Sequence, residues 1–394
     1  MKLKLILLIL LFSQLTFSQI KSGFVKEEAR DLIALFCSYT FLELYGSDKD
    51  IVPKGYKKRY TSHTYALDNK FQVYSKGKIG VINLRGSTDK KPSWLENLYV
   101  SMIPTKGIVE IENVKYPYDF NMHDSAAVHS GYLLGVTYLL NDLLPQLKLL
   151  NAEGIYDIYI TGHSQGGALA QVLRVYLDNL NSTELSKKNR YKSYAFASPK
   201  IGNKEFTEDF NRMYKNETSF NVVNSEDIVP TLPLSYSDKS FVTKNEIKNW
   251  IFDSKNHKMS DRVGDGEVRA FKGKIKQLSH VLGNRTGHQI KKNYSDVVLP
   301  DEVRDINYKK VGKMVSISPS EYPKSLKDSI MLENKEFMEN AKYDQDGNLA
   351  NDDLYNTEPM FFQHNPYNYY VTILKTYFPQ EYKKLKVKVL PENL

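Results

Sequence analysis

The sequence predicts an α/β fold with a mostly parallel central sheet flanked by helices. Two observations favour this class: alternating, strand-like runs recur along the chain, and longer helical runs lie between them. The predicted strands cover residues 78–84, 156–161, 192–197 and 219–224, and the predicted helices cover residues 132–150 and 167–180. Because alternating strands and helices build parallel sheets, functional side chains are expected at the carboxyl ends of the strands.

The length and composition limit the possible domain organisation. The 394 residues are 41% apolar and include one cysteine, Cys37. A single cysteine excludes an internal disulfide, so an apolar core must hold the fold, and a chain of this length can form one. Residues 235–359 are polar, with few strand signals and a predicted helix at residues 324–341. We therefore expect one domain over residues 19–394 with a long polar, helical insertion at about 235–359.

Residues 1–18 have the pattern of a secretory signal peptide. Lys2 and Lys4 precede an apolar run at residues 5–11, and small and polar residues follow up to Ser18. The apolar run is too short to span a bilayer comfortably, and cleavage near Ser18 is predicted. The expected localisation is secreted or periplasmic, with a retained N-terminal anchor as the alternative.

The charge pattern argues against nucleic-acid binding. The formal net charge is +8 at pH 7, and the basic clusters lie far apart in the sequence, at residues 57–59, 187–190 and 383–388. They lack interleaved glycine and aromatic residues, which favours solvated faces that adsorb to an anionic surface. No obligate protein partner is indicated.

The stretch ITGHSQGGALA places Ser164 on the turn between a predicted strand and a predicted helix. Gly162 and Gly166 flank this serine and permit a tight, strained turn that exposes its hydroxyl group as a nucleophile. Because an ordinary strand-to-helix turn fits the same pattern, the interpretation depends on finding the partners that a serine nucleophile needs.

Those partners are a histidine base and a carboxylate that orients the base. Asp227 follows the strand-like residues 219–224 in a loop stiffened by prolines, with Glu226 as the neighbouring alternative. His364 lies among aromatic residues, just before the last helical run. We therefore predict a triad of Ser164, His364 and Asp227. Three histidines in the polar insertion are weaker candidates for the base: His257, His280 and His288.

An oxyanion hole is predicted from two further positions. Gln165 directly follows the nucleophile at a helix start, and Ser87 follows a strand end in the stretch INLRGST. Their backbone N–H groups, together with the Ser87 hydroxyl, are expected to donate to the charged oxygen of a tetrahedral intermediate. Taken alone, the Gly-Ser-Thr sequence fits a plain turn equally well.

A set of segments resembles the class 3 lipase family, the fungal-type triacylglycerol lipases and their bacterial and plant relatives. In the order of the family they are INLRGST, SWLENL, VHSGY, TGHSQGGALA, FASPKIGN, VNSEDIVPTLP and HNPYNYY. The resemblance implies an α/β-hydrolase fold, the same triad and oxyanion residues, and a mobile lid that carries Trp94. It also implies that His129 and His163 pack around the elbow without acting in catalysis. The long separation of Asp227 and His364 and a rather polar lid segment depart from compact family members.

These observations predict a secreted serine hydrolase that cleaves carboxylic esters. The resemblance favours acylglycerol or phospholipid substrates, met transiently at a membrane or lipid-droplet surface. A carboxylesterase for soluble or plant-wall aromatic esters is the alternative, and an inactive hydrolase fold that binds surfaces is a third hypothesis.

No cofactor is expected, although one segment is similar to a calcium-binding loop. Asp344, Asp346, Gly347 and Asp353 have the spacing of such a loop, but Lys342 stands where the first ligand belongs. An Asp-Gly turn is therefore the favoured interpretation.

Overall fold

The computed structural model describes most of the chain. The described residues are 20–180, 183–215, 217–235, 285–290, 292–294, 296–359 and 361–390. The predicted signal peptide, residues 1–18, lies outside them. In the described part, no helix combines the length and apolar character that crossing a membrane requires.

A seven-stranded sheet forms the centre of the fold. The strands in chain order are β1 (Lys57–Thr61), β2 (Phe71–Lys76), β3 (Ile79–Leu84), β4 (Met102–Pro104), β5 (Lys106–Ile111), β6 (Val114–Asp119), β7 (Ala127–His129), β8 (Asp157–His163), β9 (Arg190–Phe196), β10 (Ser219–Asn224), β11 (Val297–Val298) and β12 (Lys313–Ile317). The spatial order in the central sheet is β1-β2-β3-β8-β9-β10-β12. Neighbours from β3 to β12 are parallel, and β1 and β2 add antiparallel pairs at one edge. The mostly parallel sheet predicted from the sequence is confirmed.

Helices cover both faces of this sheet. The α-helices of the described residues include α1 (Lys26–Tyr45), α2 (Lys91–Leu98), α3 (Ser130–Ala152), α4 (Gln165–Asp178), α5 (Lys204–Met213), α6 (Lys335–Glu339), α7 (Pro366–Tyr377) and α8 (Pro379–Lys384). Alternate residues of β8 point to opposite faces. Ile158 and Ile160 are buried in the core that contains α3 and α4, whereas Tyr159 is buried in the core that contains α1 and α7.

The predicted strands and the two predicted helices around Ser164 lie within two residues of the observed elements. The start of the helix after Ser164 differs from the prediction. Gly166 was expected in the turn, but α4 begins at Gln165, directly after Ser164. The turn is therefore shorter than the two flanking glycines suggest.

The helix predicted at residues 324–341 is wrong. Only Lys335–Glu339 forms an α-helix, with a 3₁₀ turn at Ile330–Glu333 before it. Leu326 instead forms a β-bridge with Tyr355, and the Lys327 N–H donates to the Leu354 carbonyl at 2.8 Å. This pairing holds the backbone extended, so a tertiary contact overrides the helical composition.

The polar region at residues 235–359 contributes to the sheet. β12 lies parallel to β10 and forms an edge strand of the central sheet. Tyr308 is buried, and its hydroxyl donates to the Val100 carbonyl at 2.8 Å. Residues 297–317 thus belong to the packed fold and do not form a separate insertion.

A buried ion pair attaches α1 to the sheet. The Nζ atom of Lys192, on β9, lies 2.6 Å from a carboxylate oxygen of Glu28, and the Lys192 side chain is fully buried. The hydroxyl groups of Tyr159 and Tyr194 also donate to this carboxylate, each at 2.7 Å. Burial lowers the pKa of Lys192, and the nearby Glu28 carboxylate opposes this effect.

Candidate active site

Ser164 occupies a strained turn between β8 and α4. Its φ of 59° and ψ of −128° lie in a region that residues with a side chain rarely adopt. The Ser164 N–H donates to the Phe196 carbonyl at 2.9 Å, which fixes the turn against β9. A Cβ atom at Gly162 would lie 2.2 Å from the Gly166 carbonyl oxygen, and one at Gly166 would lie 2.3 Å from that of Leu84. Both glycines are therefore required by close backbone approach.

His364 connects Ser164 to Asp227. Its Nε2 atom lies 2.8 Å from the Ser164 Oγ atom, and its Nδ1 atom lies 2.8 Å from Asp227 Oδ2. Asp227 follows β10, its side chain is fully buried, and its Oδ1 atom accepts the Val229 N–H at 2.9 Å. The imidazole is 15% exposed. The structure thus brings the three predicted triad residues together at the carboxyl ends of β8 and β10.

Tyr369 is a fourth member of this network, and the sequence reading missed its role. In the sequence, Tyr369 is one of several aromatic residues that follow His364. In the structure the Tyr369 hydroxyl donates to Asp227 Oδ2 at 2.7 Å and accepts the Asn224 N–H at 3.0 Å. Burial raises the pKa of Tyr369 well above its ordinary value, and the Asp227 charge adds to this, so the hydroxyl stays a donor.

The rival candidates lie elsewhere. Glu226 is exposed, and its N–H donates to Asn224 Oδ1 at 3.0 Å. His288 is exposed. His257 and His280 fall outside the described residues.

The predicted oxyanion residues are adjacent. Gln165 opens α4, so its N–H has no intrahelical acceptor. The Ser87 hydroxyl donates to the side-chain oxygen of Gln165 at 2.9 Å. The Asn97 side chain donates to the Ser87 hydroxyl at 2.8 Å, and Ser93 also donates to the Gln165 oxygen at 2.9 Å. The sequence reading missed Ser93 and Asn97, although their spacing of four residues places both on one face of a helix.

Trp94 lies on α2, the helix predicted as a lid. Its side chain is 36% exposed, whereas Ser93 on the same helix is buried. The segment that leads into α2 is held by Asp68, which accepts the Thr88 hydroxyl at 2.6 Å and lies 3.2 Å from Lys90 Nζ. The helix is therefore attached at its start by polar contacts and presents an aromatic side chain to solvent.

The two histidines that the resemblance places around the elbow are both buried. The His163 ring lies 4.6 Å from that of His364 and 5.3 Å from that of Phe36. Burial lowers the pKa of His163 well below its ordinary value, and the neighbouring His364 adds to this. His129 stacks on Tyr132 at 3.9 Å, and burial lowers its pKa to about 3. Both rings are neutral packing groups.

The calcium-like segment folds as a turn. Asp344 Oδ1 accepts the N–H groups of Asp346 and Asn348, at 3.0 and 2.8 Å, and Lys324 Nζ lies 3.0 Å from Oδ2. Lys324 lowers the pKa of Asp344 to about 2. In the part of the chain that the structure describes, no group of three or more His, Cys, Asp or Glu side chains has a metal-binding arrangement.

The site has the arrangement of a serine hydrolase. It combines a strained serine, a histidine within hydrogen-bond distance of that serine and a buried carboxylate that contacts the histidine. The position of the serine, on the turn after a central parallel strand, is that of the nucleophile elbow of α/β-hydrolases. Fold and site together define this class.

A comparison with protein families identifies the family that part of the chain resembles. Residues 81–237 match the model of the family described as Lipase (class 3). The match confirms, over this part of the chain, the resemblance seen in the sequence.

Individual relatives cover parts of the chain. A lipase of Caenorhabditis elegans is 39% identical over 88 residues, which are 22% of this chain and 23% of the relative. Phospholipase A1-II 1 of Oryza sativa is 29% identical over 182 residues, 41% of this chain and 42% of the relative. The chain thus spans less than half the length of these curated relatives. Among solved structures, Lip2 lipase from Yarrowia lipolytica aligns with 55% of this chain and 77% of its own, at a TM-score of 0.42 and 16% identity.

Proposed function

We propose that this protein is a serine hydrolase that cleaves carboxylic esters through an acyl-enzyme. One observation carries the proposal: the hydrogen-bonded series from Asp227 through His364 to Ser164, with both bonds 2.8 Å long. A neutral imidazole at this position accepts the serine proton, and the buried carboxylate stabilises the imidazolium that results.

In the first half of the reaction, Ser164 Oγ attacks the ester carbonyl carbon while His364 Nε2 takes the hydroxyl proton. The negative charge that develops on the carbonyl oxygen is stabilised by the Gln165 N–H at the start of α4 and by a donor of Ser87. When the tetrahedral intermediate collapses, His364 gives its proton to the leaving alcohol, and the acyl group remains on Ser164.

The second half uses the same groups with water in place of the serine. His364 takes a proton from water as the water oxygen attacks the acyl carbon. Collapse of the second tetrahedral intermediate returns the proton to Ser164 and releases the carboxylic acid. No cofactor is required by these steps, and calcium has no part in them.

Acylglycerols or phospholipids are the proposed substrates. The support is the class 3 lipase match over residues 81–237 and relatives named lipase and phospholipase A1. The exposed Trp94 on α2, next to the oxyanion residues, is suited to transient contact with a membrane or lipid-droplet surface. We also propose that the protein is secreted or periplasmic after cleavage near Ser18, which N-terminal sequencing of the mature protein tests.

A series of nitrophenyl esters of increasing acyl length, assayed with and without phospholipid vesicles, tests the activity and its class. A lipase prefers long chains and gains rate at the lipid surface, whereas a soluble-ester carboxylesterase prefers short chains and gains nothing. Ser164→Ala is the control, with an expected loss of several orders of magnitude in turnover. Turnover above about a tenth of wild type in this variant contradicts the proposal. Vesicle binding without turnover by the wild type indicates an inactive binding module.

A further inference from the structure

Glu96 is a fully buried carboxyl group on α2 that the proposed chemistry does not use. It packs directly on the backbone of α3. A Cβ atom at Gly131 would lie 2.1 Å from the Glu96 carbonyl oxygen, and one at Gly135 would lie 2.5 Å from Glu96 Oε1. The two glycines therefore leave room for this residue and for no additional side-chain atom.

The hydrogen-bond partner of this carboxyl group is a neutral amide. The Asn69 side chain donates to Glu96 Oε2. Oε1 has no hydrogen-bond partner among the described residues, and no described basic side chain forms an ion pair with Glu96. A charged carboxylate in this position would lack a compensating cation, which is costly in a buried site.

Helix α2 links this carboxyl group to the oxyanion loop. Glu96 lies on α2 between Ser93 and Asn97. Gln165 Oε1 accepts hydrogen bonds from Ser87 and Ser93, both at 2.9 Å, and from Asn97 at 3.3 Å. The position of α2 therefore determines how the Gln165 amide and the Ser87 hydroxyl are held.

We propose that Glu96 is a positioning residue whose uncharged carboxyl group holds α2 against α3 and Asn69, so that Ser93 and Asn97 on α2 orient the Gln165 side chain and the Ser87 hydroxyl. Ionisation of Glu96 places an unpaired charge beneath α2 and releases this arrangement. The proposal deepens the proposed function, on which it rests, by giving the oxyanion hole a built-in dependence on pH.

The surroundings support a neutral Glu96 at neutral pH. Burial raises its pKa to about 8, and the neighbouring Asn69 and Gln165 side chains only partly oppose this. On α3 the titratable neighbour is Tyr132, whose own pKa is raised by burial and by Glu96. The buried His129 at the start of that helix is neutral, with a pKa lowered to about 3.

Charged groups near Glu96 are already paired. Asp68, next to Asn69 in the chain, forms ion pairs with Arg85 at 2.9 Å and with Lys90 at 3.2 Å. These two basic side chains therefore compensate Asp68 and leave Glu96 without a cation.

The first test compares the pH dependence of kcat and KM for wild type and Glu96→Gln on a short soluble ester, with spontaneous hydrolysis subtracted. We expect the wild-type kcat to fall about tenfold between pH 7 and pH 9, with a nearly constant KM. Glu96→Gln, which cannot ionise, is expected to lose this fall. Glu208→Gln, a surface change on α5, is the matched control and keeps the wild-type profile. An equal alkaline fall in Glu96→Gln overturns the proposal, as does a wild type without one.

The second test needs no activity, so it separates a failure of this inference from a failure of the proposed function. In a Trp250→Phe background, Trp94 on α2 is the only tryptophan. We expect its fluorescence to change in a one-proton transition near pH 8, and we expect this transition to be absent when Glu96→Gln is added. A transition that survives the Glu96 change, or none in the Trp250→Phe protein, overturns the proposal even if esters are cleaved.

Discussion

Tyr369 donates to the same carboxylate oxygen of Asp227 that accepts from His364. Replacing Tyr369 with Phe removes one hydrogen bond to a buried charge and keeps the ring. Such a bond contributes about 1.5–3 kcal/mol, so we expect kcat to fall by about tenfold to a hundredfold while KM changes little. Steady-state kinetics on a soluble ester measures this effect. Tyr370→Phe, at the next position of α7, is the control, and an unaltered kcat in Tyr369→Phe shows that the bond has no part in catalysis.

The histidines give a second prediction at this scale. His364→Ala removes the only ring that contacts Ser164 Oγ among the described residues, so the loss of turnover is expected to match that of Ser164→Ala, several orders of magnitude. His257→Ala, His280→Ala and His288→Ala are expected to stay active. If His288→Ala is inactive and His364→Ala is not, the base lies in the polar region and the observed geometry is not that of the working site.

At the scale of elements, the loop after β3 and helix α2 meet at Gln165. Ser87→Ala is expected to lower kcat by about tenfold to a thousandfold with little change in KM, because an oxyanion donor acts on charge that develops in the transition state. The Ser87 backbone N–H survives the change, which keeps the loss below that of a triad residue.

Ser93→Ala is the matched control for Ser87, since both hydroxyl groups donate to the same Gln165 oxygen at 2.9 Å. If the two variants lose equal rate, then Ser87 acts by holding Gln165 and not by contacting the oxyanion.

Glu96 also makes the stability of the fold depend on pH. Its pKa in the folded chain is about 8, above the ordinary value of 4.5, so the folded state binds this proton more tightly than the unfolded state. The stabilisation is complete below about pH 4.5 and is lost as pH rises to about 8. Across this window the free energy of unfolding of wild type should fall relative to Glu96→Gln by up to about 1.4 kcal/mol per pH unit. Urea unfolding at several pH values measures the difference, and parallel curves for the two proteins contradict it.

At the scale of the whole molecule, α1 is joined to the sheet by the buried pair of Glu28 and Lys192. Glu28→Gln leaves the Lys192 charge buried without a counter-ion, so the free energy of unfolding is expected to fall by about 3–5 kcal/mol. Glu27→Gln, at the exposed neighbouring position, should change it by less than about 0.5 kcal/mol. Chemical denaturation measures both, and equal stabilities show that α1 is held by its apolar face alone.

The parts of the molecule that could be predicted from the sequence are those in which local chemistry dictates the structure. Gly162 and Gly166 are forced by backbone approach, and the prolines after Asp227 hold a carboxylate at a strand end. Serine hydrolase chemistry needs a nucleophile, an acid and a base at strand ends. The residue types and their order in the sequence therefore indicated the three residues that the structure brings together.

Features that depend on distant packing could not be predicted. Glu96 lies in the polar stretch SWLENL, and only the glycines of α3, distant in the chain, show that it is buried. β12 was missed because four of its five residues are half or fully exposed at the sheet edge, so its sequence has no alternating apolar pattern. The Tyr369 hydroxyl bonds across 142 residues, a distance over which periodicity carries no information.

Ser164 and His364 are 200 residues apart in the chain, and their bond joins an early turn to the start of α7. Contacts of such long range form late, because the intervening chain must first be ordered. During synthesis, the elbow therefore leaves the ribosome well before its base does. A growing chain carries the serine without its proton acceptor, so the active site is complete only after α7 has docked.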